Sequence, residues 1–139
     1  MTNINISLAE ELRSALKEQG ISSDEPSEKP EIILKIQSTF VIGNPRAWWL
    51  SLAAAPTIQV FYENTGHLHL CELAPDHSGE IWFIADEDNE DKLIFSAPLE
   101  KISLVLENCR FFEYYIVDKN LKWMITENDH GDLLLSQVD

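Results

Sequence analysis

A chain of 139 residues, 45% hydrophobic and carrying four Trp, is long enough to bury its own core; it reads as a single domain over 1–139 and not as a disordered or disulfide-stapled segment. Its 24 acidic against 10 basic residues leave a net charge of -14, which disfavours nucleic acid and anionic membranes as partners and favours a basic protein. No apolar run has the length of a membrane span, the N-terminus lacks the basic and apolar regions of a signal peptide, and Cys71 and Cys109 fit no zinc or redox spacing, so a reduced, cytoplasmic protein is expected.

Ser7 and Glu10 have capping-box spacing, and Leu8, Leu12 and Leu16 follow as one apolar stripe, which predicts a helix from Leu8 to Gln19 that stops at Gly20. A second helix is expected from about Pro30, with Ile33, Ile36 and Phe40 on its buried face; the β-branched run from Ile32 to Ile42 also allows a strand. Asn44-Pro45 has the form of a helix start, and Ala47 to Ala55 reads as a short helix. The adjacent Trp48 and Trp49 then point about 100° apart, one buried and one at a boundary. From Thr57 the apolar period changes to two. Ile58, Val60 and Tyr62, then a turn at Asn64 to Gly66, then Leu68 and Leu70 predict a β-hairpin. Strands are expected at Glu80 to Ala85 and Leu93 to Phe95, and a helix from Ser96 with Leu99, Ile102, Leu106 and Cys109 inward. The end of the chain reads as a meander: Phe111 to Val117, Leu121 to Thr126 and Leu133 to Gln137, with turns at Asp118 to Asn120 and Asn128 to Gly131. Regular β-α-β alternation is missing. The pattern predicts an α+β fold, an antiparallel or mixed sheet with the N-terminal helices and one late helix packed on one face.

Three places carry polar groups of possible chemical use. His67, His69 and Cys71 alternate and would share one strand face, but ligands along one strand fan in parallel about 6–7 Å apart and do not converge on a tetrahedral ion; no metal is expected. Asp86, Glu87, Asp88, Glu90 and Asp91 begin like a calcium loop, yet Asp91 stands where glycine is required and Ala97 where the bidentate glutamate is required. This is an acidic loop suited to contact with a basic partner. Glu127, Asn128, Asp129, His130 and Asp132 cluster at a turn. A His beside carboxylates can serve as a general base, but no activated nucleophile accompanies it, and turn chemistry explains the cluster without catalysis. Phosphate-loop, dinucleotide, nucleophile-elbow and zinc-protease motifs are missing, so neither enzyme activity nor a cofactor is expected.

The strand Glu80-Ile-Trp-Phe-Ile84, the following helix, and the run FFEYYIVDKNLKWMITENDHGDLLL resemble an uncharacterised family of small bacterial proteins, a domain of unknown function. Trp48-Trp49 resembles that family's helical tryptophan pair, so the likeness spans about residues 45–137. By position, Trp123, Glu127, Asn128 and His130 match its motif, while Asp129 replaces a His and Gly131-Asp132 replace Asp and an apolar residue. More distantly, the pattern is similar to SUKH (Smi1-like) immunity proteins. That likeness implies a SUKH-like fold and a non-catalytic role in neutralising a basic toxin domain. The alternative is a small-ligand binding protein or minor enzyme with a pocket around Trp123, Glu127 and His130.

Overall fold

The computed structural model describes residues 6–61, 65–76, 79–87, 91–128 and 130–138. Helix α1 (Leu8–Glu18) begins as its capping residue requires: the Ser7 hydroxyl accepts the Glu10 N–H at 3.1 Å. It ends at Gly20, whose φ of +72° allows Gly20 and Ile21 to donate to the Lys17 and Leu16 carbonyls at 3.0 and 2.9 Å. Helix α2 (Lys29–Phe40) carries Pro30 in its first turn and buries Ile36 and Phe40. Glu25 ties the loop between them to the sheet, accepting from Lys29 at 2.9 Å and from the Ile94 N–H at 3.0 Å.

The strands are β1 (Thr57–Gln59), β2 (Glu80–Asp86), β3 (Leu93–Pro98), β4 (Glu113–Asp118), β5 (Trp123–Glu127) and β6 (Leu133–Gln137). They form one sheet in the order β1-β6-β5-β4-β2-β3, and every neighbouring pair is antiparallel. The α+β class and the terminal meander are as the sequence predicts. One feature of the layering differs. Helix α1 and the late helix α4 (Ile102–Glu107) share a face with Phe83, Tyr114, Ile116 and Ile125, whereas α2 and Trp48 cover Ile84, Tyr115, Val117 and Met124 on the other. Helices therefore shield both faces. The run Tyr114 to Val117 is apolar at every position because both its faces are buried.

Three expected elements take other forms. The helix at Ala47 to Ala55 is only a 3₁₀ turn, Trp48–Leu50, because Phe40 to Ile42 and Ser51 to Ala53 bond to each other instead (Ile42 N–H to Ser51, Ala53 N–H to Phe40, both 2.8 Å). Trp48 is buried and Trp49 half-buried, as expected of the pair. The β-hairpin over Thr57 to Cys71 does not form among the described residues, and its expected turn lies partly outside them. β1 pairs with β6, and the second half is a 3₁₀ turn, Gly66–His69, leading into helix α3 (Leu70–Leu73). Gly66, Leu70 and Ala74 are all buried while Leu68 is 50% exposed, so the four-residue period prevails over alternation. Strand β3 also runs on to Pro98, since Ser96 and Ala97 pair with Trp82 and Ile81; the late helix starts only after a 3₁₀ turn at Leu99–Lys101. Among the described residues no helix is long and apolar enough to cross a membrane.

On the α2 face the Tyr115 hydroxyl accepts the Trp48 backbone N–H at 2.9 Å, and the two rings lie 4.9 Å apart. Tyr115→Phe leaves that buried N–H without an acceptor. A loss of about 1–3 kcal/mol is expected in urea unfolding at unchanged m-value. A loss below a few tenths would show that the loop is held by its apolar contacts alone.

Candidate functional site

The β4–β5 register sets the site. Tyr115 pairs with Thr126, which brings Tyr114 beside Glu127 at the strand ends. The Tyr114 hydroxyl donates to Glu127 Oε1 at 2.7 Å. Both residues are buried, 2% and 4% exposed. Burial, then the Glu127 charge and this hydrogen bond, hold the Tyr114 phenol well above its ordinary pKa, so it remains a donor. Among the described residues no Lys, Arg or His side chain forms an ion pair with Glu127.

Tyr114 and Glu127 line a cleft of about 330 Å³ between the sheet and the end of α4. Leu106, Phe111 and Phe112 supply apolar wall, and Gly131 of the β5–β6 turn borders it. Phe112 and Tyr114 pack edge to face at 6.1 Å. At the rim His67 Nε2 lies 2.6 Å from Glu107 Oε2. Arg110 also lines the cleft, and its guanidinium is engaged: Nε donates to Glu11 Oε1 at 2.9 Å and Nη2 to the Ile6 carbonyl at 2.8 Å. Cys109 is half-buried there; burial and then Glu11, against Arg110, push its thiol up to about 11.

The expected site residues divide. Glu127 is in the cleft, with Tyr114 as its partner. Trp123 is buried on the same sheet face but near the other end of β5, in the core, where its indole N–H meets no acceptor among the described residues. Asn128 organises the turn: its Oδ1 accepts the N–H groups of His130 and Asp132 at 2.9 and 3.0 Å. His130 is exposed, and neither it nor Trp123 lines this cleft, so the cleft does not bring Trp123, Glu127 and His130 together. Asp86 closes β2 and lies 3.9 Å from Lys92, while Glu87 and Asp91 are exposed. Asp88, Glu90 and Asp129 lie outside the described residues. His67 and His69 sit on the 3₁₀ turn and Cys71 on α3, so they share no strand face; His69 stacks on Phe61 at 4.4 Å and bonds Glu72. Among the described residues no group of three or more His, Cys, Asp or Glu is placed to hold a metal ion.

Topology nevertheless joins the two acidic segments. Asp86 pairs with Glu113 across β2 and β4, and the next residue, Tyr114, meets Glu127. The β2–β3 connection and the β5–β6 turn thus leave the same end of the sheet, two strand spacings or roughly 10 Å apart. The start of α1 adjoins them: Ser7 to Ala9 share a hollow with Glu87 and Asp91. Sequence reasoning weighed His67 only as a metal ligand and missed Glu107, Cys109, Arg110 and the two phenylalanines as cleft residues. The available signal was Arg110-Phe111-Phe112, a cation and two aromatics between a helix and a strand, with Phe111 left 65% exposed.

These features define an α+β protein with an acidic sheet end and, within it, a cleft floored by a buried carboxylate. The chain belongs to a family of unknown function, DUF6756, whose sequence profile matches residues 6–138. Neither a curated protein nor a solved structure matches it.

The raised Cys109 pKa sets its reactivity. At pH 8 about one thiol in a thousand is ionised, so iodoacetamide should label Cys109 about a hundredfold more slowly than a free cysteine, with the rate rising about tenfold per pH unit up to pH 10. Peptide-resolved mass spectrometry follows this directly. A rate that levels off below pH 9 would contradict the burial assigned to this thiol.

Proposed function

We propose that this protein is a non-catalytic, cytoplasmic protein-binding protein of a bacterium, of the SUKH (Smi1-like) immunity kind, and that its acidic sheet end covers a basic toxin domain. The observation that carries the reading is the convergence of Asp86, Glu87, Asp91 and the β5–β6 turn at one end of the sheet, in a chain of net charge -14. A field of one sign speeds encounter with a partner of the other sign and sets its orientation. The likeness in sequence to immunity proteins supports the same role. Occlusion needs no nucleophile or acid–base pair.

A second reading, a small-ligand protein or minor enzyme, draws on one observation: the Tyr114–Glu127 pair at the floor of the cleft. That reading needs a bound small molecule to survive purification.

Capture of the tagged chain from its native host separates the two. The first reading expects one basic polypeptide at stoichiometric level. Its affinity should fall at least about tenfold between roughly 50 and 300 mM salt, and a Glu87→Lys, Asp91→Lys variant should weaken it by a similar factor. No protein recovered, with a small molecule retained in native mass spectra, would replace the first reading by the second.

A further inference from the structure

We propose that the cleft at the end of α4 is a receptor for one organic cation, a guanidinium group, with Glu127 as its counter-ion. The argument begins with an imbalance. Glu127 is 4% exposed and lines the cleft. Its one side-chain hydrogen bond among the described residues comes from a neutral phenol, to Oε1. Buried carboxylates are ordinarily matched by a cation or by several donors, because an unmatched one is costly to desolvate. Here Oε2 has neither among the described residues; unlike the unpartnered Trp123 Nε1 it is not fully buried, and it keeps its contact with the open cleft.

The arginine in the lining does not supply the match. Arg110 directs Nε to Glu11 and Nη2 to the Ile6 carbonyl, and its backbone N–H also donates to Glu11 at 3.2 Å. His67 bonds Glu107 at the rim. A second carboxylate thus stands at the mouth and favours a cation over an anion. The walls select within that class. Phe111 and Phe112 offer ring surface, on which a planar, weakly hydrated guanidinium stacks better than a compact ammonium. At about 330 Å³ the cleft has the size of a small-ligand pocket and admits a side chain, not a folded segment. The chemistry of the cleft stands on Glu127 and its walls; that the group is an arginine of a protein partner rests on the reading above.

The test titrates N-acetyl-arginine amide into the full chain and follows amide resonances. Shifts confined to Tyr114, Glu127, Phe112 and their neighbours, saturating in the millimolar range, are expected. The neutral isostere N-acetyl-citrulline amide should produce none. Glu127→Gln keeps the shape and the Tyr114 bond and should weaken binding at least tenfold. Phe111→Ala, at an exposed position where folding is not at risk, should weaken it at least threefold. Equal binding of the citrulline compound, unchanged binding by both Glu127→Gln and Phe111→Ala, or no shifts at tens of millimolar would overturn the proposal. Free arginine or agmatine binding a hundredfold more tightly than the blocked form would overturn the assignment to a protein side chain. A captured partner together with an arginine-blind cleft sinks this inference alone; an arginine-binding cleft with no partner sinks only the preceding reading.

Discussion

The neighbouring residues Tyr114 and Tyr115 set the constraint on which the rest of the structure depends. They lie on β4, with β5 on one side and β2 on the other. Strand alternation sends their rings to opposite faces. Both hydroxyls are buried, and a buried hydroxyl needs a partner. Tyr115 meets the Trp48 N–H and fastens the loop after α2; Tyr114 meets Glu127 and fixes the cleft floor. A slip of one residue in β4 would exchange the faces and break both arrangements at once. Core and site therefore share one register.

What could be read from the sequence follows from the range of the interactions involved. Helix α1 was legible in full because Ser7, Glu10, Gly20 and the leucine stripe act within a few residues of each other. The β4–β5–β6 meander was legible for the same reason, since its turns connect strands that pair directly. The errors fell where distant segments decide. Thr57 to Gln59 pairs with Leu133 to Leu135, a choice no local pattern in the hairpin-like run records. Gly66 is pressed against this same neighbour: a Cβ there would meet the Gly131 carbonyl and Leu133 at 3.2 Å. That close approach to β6 helps explain why Gly66–His69 turns as it does instead of running on as a strand. Coverage of both faces was written in the unbroken apolar run of β4, and only a reading that asks what covers each face extracts it.

The site was half legible for a related reason. Glu127 was found because it stood beside a turn, and it proved to matter because of Tyr114, a relation carried by register. Trp123 and His130 flank it in sequence, but strand geometry and the Asn128 turn send one deep into the core and the other to the surface. Their places in the cleft are taken by His67 and Glu107, which belong to elements that only the fold brings near.

The same geometry bears on where function can reside. Helices pack on both faces of the inner strands, which leaves loops, strand edges and sheet ends open to solvent. At the acidic end the positive charges among the described residues have acidic or aromatic neighbours. Arg46 lies 3.5 Å from Glu113, which also accepts the Trp49 indole N–H at 2.6 Å. Lys92 sits 4.9 Å over the Trp48 ring, and Arg110 closes on Glu11. The charge of each of these cations is matched locally, close to the surface. Glu87 and Asp91 stand exposed beyond them. The outward field at this end is therefore set by loop carboxylates that the core does not need. Changes in the β2–β3 connection can then alter what the surface attracts while the Tyr114–Glu127 pair and the cleft keep their geometry.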